Sequence, residues 1–270
     1  DMSNMFTYQR NFNGDLSTWN TSSVTNMSNM FSTTAFNQNI NSWNVGNVTN
    51  MTSMFSQATA FNQPLNNWDV SNVTTMLQMF KGSSSFNQPL NNWNVSKVTN
   101  VHDMFSMATN FNSDISTWNT QSVTTMAYMF SGATAFNQPL NNWNVSNVTT
   151  MSSMFQGATA FNQPLNNWNV IKVTTTESMF QNASAFNRSL NNWNVSNVTT
   201  MRSMFQGATV FDSAVDDWDV SKVTNMYYMF ELATSFNQPI NSWNVGSVTN
   251  MKAMLADNPV FNQPLNNWNV

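Results

Sequence analysis

Eleven tryptophans divide the chain into equal parts. They stand at Trp19, Trp43, Trp68, Trp93, Trp118, Trp143, Trp168, Trp193, Trp218, Trp243 and Trp268, each 25 residues after the last except for a first interval of 24. A fixed period of this size belongs to solenoids, propellers and arrays, in which each copy buries its apolar face only by stacking on the next. One copy runs from Leu140 to Pro164 as LNNWNVSNVTTMSSMFQGATAFNQP, and the rest of the chain is that segment with edits. The number of coils therefore matters more than the number of domains.

Positions counted from each Trp show how strict the pattern is. Position +5 is Val in every complete copy, from Val24 to Val248, and position +6 is always Thr, from Thr25 to Thr249. Position +11 is Met, and +12 is Phe except at Leu255. A second Phe precedes each Trp by seven residues, from Phe12 to Phe261. The two Phe columns hold all 21 Phe, while positions +8 and +11, with Met107, hold all 21 Met. Large apolar residues thus keep to one register. Thioether sulfur packs favourably against aromatic rings, so this Met-aromatic stripe reads as core and not as a cofactor box.

Within one copy, L-N-N-W-N-V has the form L-x-x-L-x-L with Trp in the middle slot. Alternation places Trp143 and Val145 on one side of an extended strand and Asn142 and Asn144 on the other. Val148, Met151, Met154, Phe155 and Ala158 then recur at intervals of three and four, which predicts a short helix that Ser146 or Thr149 would cap. Phe161 and Pro164 bring the chain back. Each coil is expected to be a short parallel strand, a turn, a short helix and a return. At about 4.8 Å per strand, eleven strands span roughly 50 Å. The 24-residue coil loses its residue between Phe31 and Phe36, where no core side chain need move.

Composition narrows what such an array can do. Only 7% of residues are charged, yet 41% are hydrophobic and 13% aromatic, which rules out a disordered chain. No apolar run approaches the roughly 20 residues of a membrane span. The net charge is −4, and the eight basic residues are scattered along the coils, which argues against a nucleic-acid partner. Cysteine is absent, so no disulfide framework or thiolate site exists. Residues 1–270 read as one continuous solenoid, a segment of a longer array without recognisable caps.

The repeat L-N-N-W-N-V-S-N-V-T-x-M-x-x-M-F-x-x-A-x-x-F-N-Q-P resembles the BspA-like leucine-rich repeat surface proteins. It is closer still to the roughly 26-residue repeats of Listeria and Mycoplasma surface lipoproteins. The resemblance covers essentially the whole chain. It implies a leucine-rich-repeat-like solenoid displayed on a cell surface or secreted, with host proteins or other cells as partners of some members.

The residues flanking Trp are the candidate ligand face: Asn67, Asn92, Asn94, Asn119, Asn142, Asn144, Asn167, Asn169, Asn192 and Asn194. Stacked amides can bond to one another along an array, which would stiffen it. The other reading is a flat neutral face for a glycan or a protein. Asp217 and Asp219 lie in an acidic stretch, FDSAVDDWDV, whose oxygens could hold Ca²⁺; the alternative is an edited, solvated face, and no other cofactor is indicated. Asn47, Asn72, Asn94, Asn144, Asn147, Asn194 and Asn197 head N-x-S/T sequons, which would carry glycans in a eukaryotic secretory pathway. The single histidine, His102, suggests no triad, and uniform strands offer no cleft, so the chain is not expected to be an enzyme.

The expected function is adhesion or extracellular structure, in which a rigid polar face repeats one weak contact per coil towards a host or matrix protein or glycan. One alternative is a filament subunit joining itself end to end, and a second is ice binding by a regular Thr/Asn lattice.

Overall fold

Backbone hydrogen bonds between coils decide the architecture. The computed structural model describes all 270 residues as one stack of coils. Nine parallel bridges join successive coils at position +7, from Asn26–Asn50 to Asn225–Asn250. Around the first bridge, the Thr49 N–H donates back to the Thr25 carbonyl at 2.9 Å, and the Met27 N–H donates forward to the Asn50 carbonyl at 3.0 Å. Three more forward bonds follow at alternate residues: Asn29 to Thr52 at 2.8 Å, Phe31 to Met54 at 2.9 Å and Thr33 to Ser56 at 2.7 Å. This ladder, running from +6 to +14, recurs down the stack with small gaps. It is the main backbone seam.

The ladder occupies the segment that periodicity assigned to a helix, and no α-helix forms there. A helix needs each N–H for the carbonyl four residues back. Here every second N–H is committed to the next coil. The remaining ones close tight turns inside the coil, such as Met30 to Met27 at 3.3 Å and Ser32 to Asn29 at 3.1 Å. Two residues per coil also take positive φ. At +10 these include Asn29 (55°), Ser53 (53°) and Tyr128 (58°); at +14 they include Gln57 (58°), Met107 (59°) and Gly132 (67°). Positive φ at the third residue of a turn is the signature of type II geometry and is foreign to a right-handed helix. Successive three-residue turns reproduce the three-to-four spacing of apolar side chains, which is why the pattern imitated a helix.

The expected strand also differs from the structure. L-x-x-W-x-V keeps its in–out alternation but carries no backbone ladder and no continuous strand. The Trp143 N–H turns back to the Leu140 carbonyl at 3.0 Å. Coils are joined here by side chains. The Trp43 indole N–H donates to the Leu16 carbonyl of the preceding coil at 3.0 Å, and each later Trp to Trp268 repeats the bond.

Inside the coils lies one continuous core. Trp143, Val145, Val148, Met151, Met154, Phe155, Ala158 and Phe161 are all at most 3% exposed. The two Phe of one coil stack at 4.0 Å between centroids, as in Phe155–Phe161. Where Val at +2 becomes Thr21 or Thr120, the buried hydroxyl donates to the Asn44 or Asn144 carbonyl at 2.8 or 3.0 Å. A buried polar atom is thereby satisfied. The short coil keeps its Phe pair at 4.0 Å, because the Thr34 hydroxyl bonds the Phe31 carbonyl and receives the Phe36 N–H in place of a backbone turn.

Stacked rings fill the core in columns. Phe rings at +12, beside the ladder, repeat every 5.5–5.9 Å. The nearly parallel Trp rings repeat at 6.2–6.4 Å. The Phe column thus lines the ladder side of the core and the Trp column the Trp side.

Candidate functional site

The residues on either side of Trp, at −1 and +1, are exposed in all eleven coils, as alternation requires. Their roles differ. At +1, the side-chain oxygens of Asn94, Asn119, Asn144, Asn169 and Asn194 accept the N–H two residues on, at 3.1–3.3 Å. This Asx turn redirects the chain after Trp, and Asn and Asp suit it because their short side chains mimic a backbone carbonyl. At −1, the side-chain amides of Asn67, Asn92, Asn142, Asn167 and Asn192 bond no other protein group, although the backbone N–H groups of Asn67, Asn167 and Asn192 donate to the Asn41, Asn141 and Asn166 side-chain oxygens of the preceding coil. The expected amide-to-amide ladders in these two columns are absent: +1 bonds within its own coil, and at −1 only the hydroxyls of Ser42, Thr117 and Ser242 reach carbonyls of the preceding coil.

An Asn ladder does exist, at position −6, the Asn of F-N-Q-P. The Asn137 side-chain carbonyl accepts the Asn162 N–H of the next coil at 2.9 Å and the Gln163 side-chain N–H at 3.1 Å. Asp212 performs the same task for Asn237 and Gln238, at 2.9 Å each. Reading the sequence for outward columns missed this one, although its near-invariance beside Phe was visible. The +6 threonines form a third ladder, in which the Thr149 hydroxyl donates to the Thr124 carbonyl at 3.2 Å. Their constancy follows from that bond.

Between the −1 and +1 columns runs a shallow polar trough. Around Trp168 its walls are Asn167, Asn169, Asn192 and Asn194, and around Trp193 they continue through Asp217 and Asp219. The indoles floor the trough by an edge only: Trp168 is 2% exposed and Trp193 3%. No ring face is available for stacking. Hydrogen-bonding amides are the chemistry on offer.

Asp217 and Asp219 face each other across Trp218, while Asp212 is engaged in the −6 ladder. No group of three or more His, Cys, Asp or Glu side chains converges anywhere in the molecule. The Ser221 hydroxyl, then the Ser221 N–H, and lastly the charge of Lys222 hold the Asp219 carboxyl below its usual range. Ser71 and Lys97 do the same for Asp69. Among the sequons, Asn47, Asn72, Asn147 and Asn197 donate their side-chain N–H to carbonyls of the preceding coil at 2.7–2.8 Å. Asn94, Asn144 and Asn194 use only the side-chain oxygen, in the Asx turn. His102 is part-exposed, with Nδ1 at 3.1 Å from the buried Asp103 carboxylate, which Lys81 also approaches at 3.1 Å.

The ladder surface carries what the sequence patterns passed over, because it has no pattern. Position +9 reads Ser28, Thr52, Leu77, His102, Ala127, Ser152, Glu177, Arg202, Tyr227 and Lys252. Backbone rungs hold this side together, so its side chains are free to differ.

The model of a family described as "Mycoplasma protein of unknown function, DUF285" matches residues 1–93, 76–193 and 185–270. The chain belongs to the DUF285 family. No curated relative matches it. Solved structures similar to this DUF285 chain include a TLR13–ssRNA13 complex, at 12% identity and TM-score 0.36, with 75% of the chain covering 25% of that protein. Another is the Drosophila Toll–Spatzle complex, at 13% identity and TM-score 0.28, with 75% covering 32%. The DUF285 chain thus spans a third or less of either. It is a tandem-repeat solenoid in which no helix is long and apolar enough to cross a membrane.

Proposed function

We propose that this chain is a non-catalytic, surface-displayed rod that binds a neutral, repeating glycan along its Trp-flanking face. The observation that carries the reading is the −1 column. The constancy of other Asn and Thr columns is explained by bonds within the fold, at −6, +1 and +6. The side-chain amides of Asn67, Asn92, Asn142, Asn167 and Asn192 recur without such a bond beside a trough with polar walls, whereas the hydroxyls of Ser42, Thr117 and Ser242 in the same column bond carbonyls of the preceding coil. Neutral amides donate and accept, which suits sugar hydroxyls. Their coil spacing presents the same contact again and again, and linked weak contacts give avidity that one coil lacks. The Mycoplasma family description and the neutral, amide-rich surface support display outside the cell.

The test is a glycan array probed with the wild-type chain and with a variant carrying N92A, N142A, N167A and N192A. A net hydrogen bond contributes about 0.5–1.5 kcal/mol, so each lost amide should weaken binding by roughly two- to tenfold. Thermal stability should hold, because these amides make no internal bond. Binding that survives all four substitutions, or no binding to any neutral glycan, overturns the reading.

A further inference from the structure

The one shortened coil leaves a dent in the surface. Ordinary coils carry five residues between their two Phe, as from Phe55 to Phe61, but Phe31 and Phe36 enclose four. Where ordinary coils meet, bonds to the preceding coil close this corner. The Thr134 and Thr159 hydroxyls donate to the Thr109 and Thr134 carbonyls at 3.2 and 3.5 Å. The Ala135 and Ala160 N–H groups donate to the same two carbonyls at 3.2 and 3.3 Å. Beside the short coil the corresponding groups, the Thr59 hydroxyl and the Ala60 N–H, bond no other protein group. A cavity of about 420 Å³ opens there instead, between Arg10 on one side, Thr33, Thr34 and Ala35 of the short coil, and Thr59 and Ala60 on the other.

The lining of this dent is rich in unused donors. The hydroxyls of Thr33 and Thr59 and the backbone N–H groups of Thr34, Ala35, Thr59 and Ala60 are unbonded, while the Thr34 hydroxyl is taken by Phe31 and Phe36. The Arg10 guanidinium makes no ion pair and no hydrogen bond. No carboxylate lines the cavity. Before Trp68 the only acidic residues are Asp1, which bonds Ser3 and Asn26, and Asp15, which bonds Ser17. A guanidinium with its whole donor fork free, at a cavity without acidic walls, suits an oxyanion. The volume lies in the range of small-ligand sites, and Ala35 and Ala60 give the C–H face of a sugar ring something to lie against.

We infer that the dent binds one sugar unit carrying a carboxylate or a sulfate, with the oxyanion on Arg10 and the sugar hydroxyls on the free Thr33 and Thr59 groups. The site is independent of the Trp-flanking trough and shares no residue with it. Glucuronic acid titrated at low salt into the isotope-labelled chain, followed by amide NMR shifts, tests this. A glucose sulfate, glucose and sodium sulfate are the other arms. Resonances of Thr33, Thr34, Ala35, Thr59 and Ala60 should shift saturably with an acidic sugar and stay still with glucose, and whichever acidic sugar binds tighter names the oxyanion. Affinity should fall more than about tenfold in R10Q, which loses a charge-assisted bond, and about threefold in T59V. K97Q removes a charge elsewhere and should bind as the wild type does. One residue inserted between Thr34 and Ala35 restores the ordinary coil length and should close the dent and abolish binding. Sodium sulfate bound as tightly as either acidic sugar would show bare attraction of an anion and overturn the inference. So would the absence of any shift, equal loss in K97Q and R10Q, or full binding by the insertion variant. Unchanged melting of R10Q and T59V separates lost binding from lost folding.

Discussion

The two sides of each coil are joined by different kinds of bond, and the difference explains which residues vary. On the ladder side, neighbouring coils exchange backbone hydrogen bonds from +6 to +14, as in Met27 to Asn50 and Phe31 to Met54. Backbone groups are common to all residues, so +9 accepts Leu77, His102, Glu177 and Tyr227 alike. On the Trp side the joints are made by side chains: the Trp indole N–H donates to the carbonyl at −3, and the Asn oxygen at −6 accepts the next Asn N–H. Those joints exist only while Trp and Asn are present. Within one chain, constancy marks side-chain bonding and variation marks backbone bonding. The recurring Asn at −1, whose side-chain amide bonds nothing in Asn67, Asn92, Asn142, Asn167 and Asn192, then stands out.

The largest test of this contrast is Trp143→Ala. It empties a ring position between Trp118 and Trp168 and removes the bond to the Ile115 carbonyl. Loss of a buried Trp should cost roughly 3–5 kcal/mol, read from urea unfolding. Trp143→Phe should lose less, since a ring remains. If Trp143→Ala proved as mild as a surface change, the joint on the Trp side would not depend on the side chain.

A middle-sized effect is expected at −6. Asn137→Ala strips two bonds from the next coil and should cost about 1–2 kcal/mol. Asn137→Asp keeps the accepting oxygen, as Asp212 does naturally, and should be nearly silent at neutral pH. Thr52→Ala at the variable +9 position, where the hydroxyl bonds no other protein group, supplies the opposite case and should stay within about 0.5 kcal/mol. Equal costs at both positions would erase the distinction.

The smallest effect is on pH dependence. Hydrogen bonds from Ser71 and Ser221 lower the folded-state carboxyls of Asp69 and Asp219 below 3.8. A lowered folded value stabilises the fold above the unfolded value, and that contribution fades as pH falls through the folded one. Both groups are largely exposed, so solvent screening keeps the effect small. Replacing both by Asn, which fills the +1 slot in the other coils, should flatten the acid side of the melting curve slightly while sparing neutral stability.

Much of this was legible in the residues. The period identified the stack, and the apolar columns named the buried set, from Trp143 to Phe161. Alternation around Trp placed −1 and +1 outside. Helix and strand were misplaced because periodicity reports which way side chains point, not where N–H groups bond. A run of three-residue turns and a helix turn apolar residues to one side alike. The corrective signal was the +14 column, where Gly82, Gly132, Gly157, Gly207 and Asn182 all suit positive φ. The site divided similarly. Exposure of the Asn columns could be read in advance, but only coordinates separate an Asn held in a turn from one left free.

The direction of the bonds has an electrical consequence. On the ladder side four of the five ladder N–H groups point toward the following coil. On the Trp side the indole N–H and the Asn N–H at −6 point toward the preceding one, as does the Thr hydroxyl at +6 beside the ladder. A long α-helix aligns its peptide dipoles and carries opposite partial charges at its ends. Here two sets of dipoles run antiparallel along the same rod and offset each other. Coils can therefore be added without building an axial field, yet a coil inserted upside down would set donors against donors. The stack is polar in its assembly and close to apolar in its electrostatics.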